Sequence, residues 1–490
     1  MPGSQTTLRR ILAFAGFISL SLAPSILLAQ TPHATQYTYE HSNGLWLGIQ
    51  DDNQNSQQED VFLLDQGKLS SIRSSDYGSD IGEYSYGLGV DQDGHTMNQV
   101  RGQYSWYRRT PRHDLRLALD GVLETYRGTT SLLSLDQQFS LGDSQGGISN
   151  QLNDYVRREG RVTASDLIRL SLTTDANISG SHQRSFTDIN SRGSDNRTLD
   201  SVAAGLEQRW YQSSLTFNIL QDTLLAKIDD TEGGIDFNSR QNTSERILRY
   251  TFPLVPRLSG RVGYRDIRLS IKDGPNLYRH GPEIGTDYLG EAWNWGIELS
   301  TLRDEDNQSE TFGRAYANWL MDERNRFSAR VEKSISLQST FAVLPGDREA
   351  LIRPQQSVLE KQLEWERSYQ RHRFTLGVIH SVLLFEGAEV IYAEESLAYV
   401  YSFSELTELT ARLAFNQSKF NGGLTLNSGR RENGSFQVGL RHVLKGALSA
   451  TGGRMFVEST VGVEQYRESP LPFKSSRVAL LLSLGQIGNF

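Results

Sequence analysis

The sequence contains no cysteine, which excludes structural disulfides, a lipid-modified cysteine at a mature N-terminus and any thiolate metal site. Long hydrophobic runs are also missing. After the first thirty residues no segment approaches the roughly 18 continuous apolar residues that a spanning helix needs, and the mean hydropathy is -0.47. Lysine is scarce: 42 of the 50 basic residues are arginine. The nine histidines are scattered, with no His-x-x-x-His or Glu-x-x-His pair of metal-ligand spacing. No G-x-S-x-G elbow, phosphate loop or dinucleotide fingerprint occurs in a strand-turn-helix context. The nearest nucleophile and base are Ser381 and His380, and adjacent strand residues point to opposite faces. His372 and His442 have no better partner. These absences argue against an enzyme and against any metal or cofactor. The net charge of -8 argues against a nucleic-acid surface.

The N-terminus has the parts of a secretory signal. Arg9 and Arg10 form a basic n-region, Ile11 to Leu28 an apolar stretch interrupted by Ser19, Ser21 and Pro24, and Ala29 a cleavage position. The organisation expected is a signal peptide over 1–29, a short periplasmic segment over 30–44 and one large domain over 45–490.

That domain is dominated by period-two alternation, the mark of strands with one apolar and one polar face. Leu115, Leu117, Leu119 and Leu123 oppose Arg116, Asp120 and Glu124; Leu248, Tyr250 and Phe252 oppose Arg249; Leu258, Val262 and Tyr264 oppose Arg261 and Arg265. The same signal recurs at Trp293 to Leu299, Leu397 to Phe403 and Leu409 to Phe415. A soluble sandwich alternates too. Three features favour a lipid-facing barrel instead. The strands run to about ten to fourteen residues, whereas soluble strands cluster near five or six. Aromatic residues gather at strand ends, among them Tyr104, Trp106, Trp210, Trp319, Trp365 and Tyr401. Connections tend to alternate between short (Thr110 to Asp114, Pro253 to Pro256, Gln370 to Arg373, Ser404 to Thr407) and long (Leu141 to Glu159, Asp222 to Thr243, Lys272 to Thr286, Leu337 to Gln356, Gln417 to Asn433).

The expected fold is therefore an all-β transmembrane antiparallel up-and-down barrel of about 18 strands, within 16 to 20, in the outer membrane of a Gram-negative bacterium. Around Leu302 to Phe312 the short-long order loses its phase, which predicts a missed or supernumerary strand. The last strand carries Val478, Leu480, Leu482 and Leu484 on one face, and a terminal Phe490 resembles the signal that such proteins present to the barrel assembly machinery.

Closure would put the polar faces inside. The expected lumen-facing charges are Arg116, Asp120, Glu124, Arg169, Arg249, Arg261, Arg265, Glu298, Arg330, Glu332 and Arg412, with Glu364 and Glu366 as further carboxylates. Arginine's planar fork suits ladders with these carboxylates and suits anionic sugars or phosphates equally. A structural network filling the lumen is favoured over a dedicated anion path. Expected partners are outer-membrane lipids and lipopolysaccharide, an anionic polysaccharide, and the assembly machinery. Acidic clusters such as Asp304, Glu305 and Asp306 are read as solvated loop carboxylates rather than cation sites. An energy-coupled receptor would carry a folded plug of about 130 residues before its barrel, and strands beginning near Leu45 leave no room for one.

Trp293, Asn294, Trp295 and Gly296 open a strand that leads to an arginine-rich segment ending in Arg324, Asn325, Arg326 and Phe327. A variable polar insertion follows, then a strand pair broken at Arg371, His372 and Arg373, and a closing series of strands to Phe490. In this order and texture, from about Ala292 to the end, the chain resembles a family of outer-membrane barrels that accompanies exosortase (PEP-CTERM) and exopolysaccharide gene clusters in Gram-negative bacteria. The resemblance implies export or surface assembly of a polysaccharide, and it carries over no site residues. A pore or conduit is the leading expectation. A structural or adhesive barrel with ligand-binding outer loops and a closed lumen is the alternative.

Overall fold

A computed structural model describes residues 35–489, apart from 53–57, 76, 92–95, 127–154, 190–192, 231–234, 273–275, 336–339, 345–347, 353–356, 386–387, 422–428, 449–453 and 470–472. The expected signal peptide over 1–29 and Phe490, on which the assembly-signal expectation rests, lie outside the described residues.

The strands are β1 Thr35–Asp52, β2 Gln58–Ser75, β3 Gly78–Asp91, β4 Thr96–Arg109, β5 His113–Tyr126, β6 Tyr155–Arg169, β7 Thr174–Ile189 and β8 Gly193–Trp210. They continue with β9 Ser213–Asp230, β10 Ile235–Val255, β11 Leu258–Ile271, β12 Leu277–Leu289, β13 Trp293–Arg303, β14 Ser309–Asp322 and β15 Asn325–Ile335. A separate two-stranded hairpin follows, β16 Thr340–Leu344 with β17 Arg348–Ile352. The wall resumes with β18 Ser357–Tyr369, β19 His372–Phe385, β20 Ala388–Ser404, β21 Thr407–Asn421, β22 Gly429–Leu448, β23 Arg454–Ser469 and β24 Phe473–Asn489.

Each wall strand pairs antiparallel with its neighbour in sequence, β15 passing over the hairpin to β18. The first and last strands then pair from Thr38↔Asn489 to Asp52↔Ser475, so the 22-stranded sheet closes on itself. This corrects the count of about 18 read from the sequence. Two causes account for the shortfall. Strands here extend well beyond the apolar band into polar residues, so stretches read as long loops are largely strand: β9 reaches Asp230 and β10 resumes at Ile235, while β12 opens at Leu277. In β7 the apolar face carries Ala176, Ile178, Gly180, His182 and Arg184, which dilutes the alternation. The wall also begins at Thr35, ahead of the Leu45 expected.

No strand is lost near Leu302 to Phe312. The connection 304–308 between β13 and β14 sits on the side of the long connections but is short. Asp304 accepts from the Asn307 N–H at 3.2 Å, and its carboxylate accepts from the Gln308 N–H at 2.8 Å. In an up-and-down wall, strand parity sends connections alternately to the two ends. One end holds the turns 76–77, 110–112, 211–212, 256–257, 323–324, 370–371 and 405–406; the other holds the two longest connections, 127–154 and 336–356.

The two faces of the wall differ as period-two patterning requires. Leu248, Val262, Ile284 and Leu299 are 46 to 58% exposed on one face, whereas Glu283 and Ser300 on the other are 1 and 4% exposed. Side chains spread apart on a convex surface and crowd on a concave one, so the apolar face is the exterior. Six of the seven tryptophans (Trp106, Trp210, Trp293, Trp295, Trp319, Trp365) share that outer face at the short-turn end, where Trp293 and Trp319 stack at 4.4 Å. This is the placement of an interfacial aromatic belt.

Candidate functional site: the charged inner wall

The densest array of charged side chains on the inner face lies across β10 to β14, and its geometry follows from register. Arg249 on β10 stands opposite Gly263 on β11, which stands opposite Glu283 on β12. With no side chain at Gly263 in the way, Arg249 crosses β11 and its Nε donates to Glu283 at 2.7 Å. The device repeats one strand along. Arg261 stands opposite Gly285, which stands opposite Glu298 on β13, and Arg261 reaches Glu298 at 3.4 Å as well as Asp287 at 3.0 Å. From the other direction, Tyr316 on β14 passes over Gly296, and its hydroxyl donates to Asp287 at 3.0 Å. A β-carbon at Gly285 or Gly296 would collide with the crossing Arg261 or Tyr316 side chain.

Glu298 is the hub. Arg249 at 3.3 Å, Arg261 at 3.4 Å and Arg314 at 3.7 Å converge on it. Arg265 pairs with Glu245 at 2.5 Å alongside. Four guanidinium groups thus meet four carboxylates (Glu245, Glu283, Asp287, Glu298), and the local charge balances. Glu283, 1% exposed, relies on that balance, because removing one partner of a buried ion pair costs about 3 to 5 kcal/mol.

The other sequence-predicted charges share the inner face but form smaller groups. Arg169 donates to Asp114 at 2.7 Å and to the Pro111 carbonyl at 3.3 Å. Arg116 lies over the Tyr107 ring at 5.4 Å, Asp120 lies 3.9 Å from Arg101, and Glu124 is buried. Arg330 pairs with Glu332 two residues along its own strand. Arg412 occupies the inner face of β21 between Ala398 and Gln437, and Glu364 and Glu366 that of β18. Across the closing seam, Arg441 on β22 reaches Glu40 on β1 at 2.8 Å and covers the buried Phe456 ring at 4.2 Å.

Sequence reasoning missed Glu245, Glu283, Asp287, Arg314, Tyr316 and the three glycine crossings. The segment Gly281, Pro282, Glu283, Ile284, Gly285 hides its alternation, and the pairing across two strands becomes visible only with the register. The histidines considered for catalysis lie on the outer face: His372 bonds the Tyr399 hydroxyl at 2.9 Å and His442 the Thr407 hydroxyl at 2.7 Å. Among the described residues no three His, Asp or Glu side chains come together as a metal site.

No family model matches the chain, and no curated protein matches it in sequence. Solved structures do. The chain is similar to the siderophore receptor PirA from Acinetobacter baumannii, with TM-score 0.52 and 8% identity over 93% of this chain and 81% of that one. It is similar to the FrpB iron transporter from Neisseria meningitidis (F3-3 variant), with TM-score 0.51 and 12% identity over 90 and 81%. It is also similar to the ferric-catecholate import receptor Fiu from E. coli K12 in its open form, with TM-score 0.54 and 10% identity over 94 and 82%. At these identities the likeness is one of fold: the chain shares the large closed antiparallel β-barrel of these proteins.

Proposed function

We propose that the protein is a transport barrel of the Gram-negative outer membrane, a conduit for polar solutes or polymer. The observation that carries this reading is the closed 22-stranded wall with its apolar exterior and charge-paired interior. A closed wall with an apolar exterior is the form in which strands stably cross lipid. At strand spacing of about 4.8 Å and tilt of about 40°, 22 strands enclose a backbone diameter of ~44 Å. Transporters of this strand number hold a plug. Among the described residues, everything except the β16–β17 hairpin belongs to the wall or its connections.

Because its arginines are matched by carboxylates, the β10–β14 wall offers a polar but nearly neutral lining. The conduit is therefore expected to discriminate weakly between cations and anions. The structural neighbours are named for iron compounds and lend the polysaccharide reading no support; that reading rests on the resemblance from about Ala292 onward. Planar-bilayer recording of the purified full chain is the test. Steady conductance with a reversal potential near zero in a salt gradient is expected, and silence even after removal of 127–154 and 336–356 would sink the conduit.

The placement of both long connections at one end favours a second reading, an adhesive barrel. Under it, deleting 127–154 abolishes binding to matrix polymer while the barrel still assembles.

A further inference from the structure

On the outer face the apolar band above the tryptophan belt is interrupted on β18 to β20. On β13 and β14 the first outward hydroxyl stands eight positions beyond the tryptophan, at Thr301 after Trp293 and at Thr311 after Trp319. On β18 a lysine stands only four positions beyond Trp365. Lys361 shares the outward face of that tryptophan, opposite Val331 of β15 on one side and His380 of β19 on the other. Four residues are about 13 Å along the strand, or ~10 Å up the membrane normal, within an apolar band of about 25 Å. His380 stands opposite Ala393 of β20, and Glu395 shares that outward face two residues nearer the short turns. Apolar residues flank the three below, at Leu363, Val378 and Leu397, and above, at Leu359, Val382 and Ile391.

Elsewhere on the outer face opposite charges meet within the chain, as His182 does Asp200 at 2.6 Å and Arg268 does Asp266 at 3.3 Å. Among the described residues Lys361, His380 and Glu395 make no hydrogen bond or ion pair, and the shielded Nδ1 of His380 is left bare. A charge left single on a lipid-facing wall is costly, most of all far from the headgroups. Lys361 and Glu395 do not reach each other because β19 lies between them, which sets them ~10 Å apart at strand spacing of about 5 Å. They stand level, however. Tyr369, the last residue of β18, is in register with His372 and so with Tyr401, three residues short of the end of β20 at Ser404. A constant height therefore drifts by more than one residue per strand against the register, in the direction of the short turns. Glu395, two residues below Ala393 and two strands away, is at the height of Lys361.

We propose that the outer face of β18 to β20 is the contact between two copies of this chain, related by a two-fold axis along the membrane normal that passes beside His380. This rests on the outer-membrane reading above. Such an axis preserves height and exchanges left for right, so Lys361 of each copy meets the partner's Glu395 and two ion pairs form. The two His380 rings meet at the axis. A neutral imidazole carries one donor and one acceptor nitrogen, so one ring donates to the other. Self-pairing needs opposite charges at equal height on either side of a central strand, and the register supplies that arrangement. A patch of one sign would repel its own copy. The apolar residues above and below fill the contact, but lipid tails cover them equally well, so the polar pairs decide whether the copies associate.

Native mass spectrometry of the full chain in mild detergent tests the contact. A dimer is expected for the wild type, reduced at least tenfold in K361E and in E395K, each of which sets like charges against each other. The double reversal K361E/E395K is expected to restore the dimer to within twofold of the wild type. A monomeric wild type, a trimer, or a different protein in the second place overturns the proposal. So do single reversals that stay dimeric, and a folded double reversal that stays monomeric. If the reversals fail to fold, H380C takes their place, since the chain has no cysteine of its own. In lipid vesicles a short bismaleimide is expected to link H380C into a covalent dimer and to leave V100C, on the outer face of β4, monomeric. No link at H380C, or equal linking of the two, overturns the contact. Bilayer recording separates the two readings: conductance from a monomer sinks the contact alone, and a silent dimer sinks the conduit alone.

Discussion

Glu283 is nearly inaccessible and is paired with Arg249, which is itself a quarter exposed. Arg249→Ala therefore strands a buried carboxylate, and partial hydration of the site puts the cost near the lower end of the buried-pair range, about 3 kcal/mol. Urea unfolding in lipid vesicles, followed by tryptophan fluorescence, measures it. The double variant R249A/E283A is expected to recover most of the loss, because no unpaired charge remains. The glycine crossings make a second residue-scale prediction. Gly285→Ala drives a methyl group into the Arg261 side chain and the Ile297 carbonyl, for about 1 to 3 kcal/mol of strain. Gly160→Ala meets nothing within 4 Å and is expected to change stability by less than about 0.5 kcal/mol. Equal effects of the two substitutions on the urea midpoint would remove the crossings as the explanation.

At the scale of single elements, the turn between β10 and β11 is built from Pro256 and Arg257, and Arg257 has φ of 70°. Proline followed by a positive φ is the type II arrangement, which favours glycine at the second position. Arg257→Gly is expected to stabilise the hairpin by about 0.5 to 1 kcal/mol; its exposed bridge to Glu291 adds little to the native state. A lowered unfolding midpoint in R257G would contradict this. Elements also differ in how openly the sequence declares them. β5, β11 and β21 alternate leucine, valine or tyrosine against charge, so strand type and inward residues are both legible. β12 is not, because Gly281, Pro282 and Gly285 replace alternating side chains; Gly285 lets Arg261 cross, and the gaps conceal the strand that carries Glu283 and Asp287. β7 is obscured differently, by His182 and Arg184 on its outer face. The eleven charges singled out from the sequence follow from alternation alone. Their grouping into one dense array and several small ones follows from register, which no single strand encodes.

For the whole molecule, the tryptophan belt yields a depth measurement. With six tryptophans on the outer face at one end, fluorescence in reconstituted bilayers is expected to be quenched more strongly by lipids brominated near the headgroup than by lipids brominated at the chain terminus. The reverse order would place the belt at the bilayer centre and the strands out of line with the membrane.

Thr38 and Asn489 are neighbours in space although some 450 residues of chain separate them. β1 can pair with β2 as soon as that strand is made, but its other edge waits for the last strand to be synthesised and delivered. Until then two unpaired edges stand open, each able to recruit a strand from another chain. Assembly is thus a race between ring closure and polymerisation, slowed by the entropy of so distant a contact. A holder that keeps the nascent edges apart decides the yield of folded protein, whatever solute the finished wall admits.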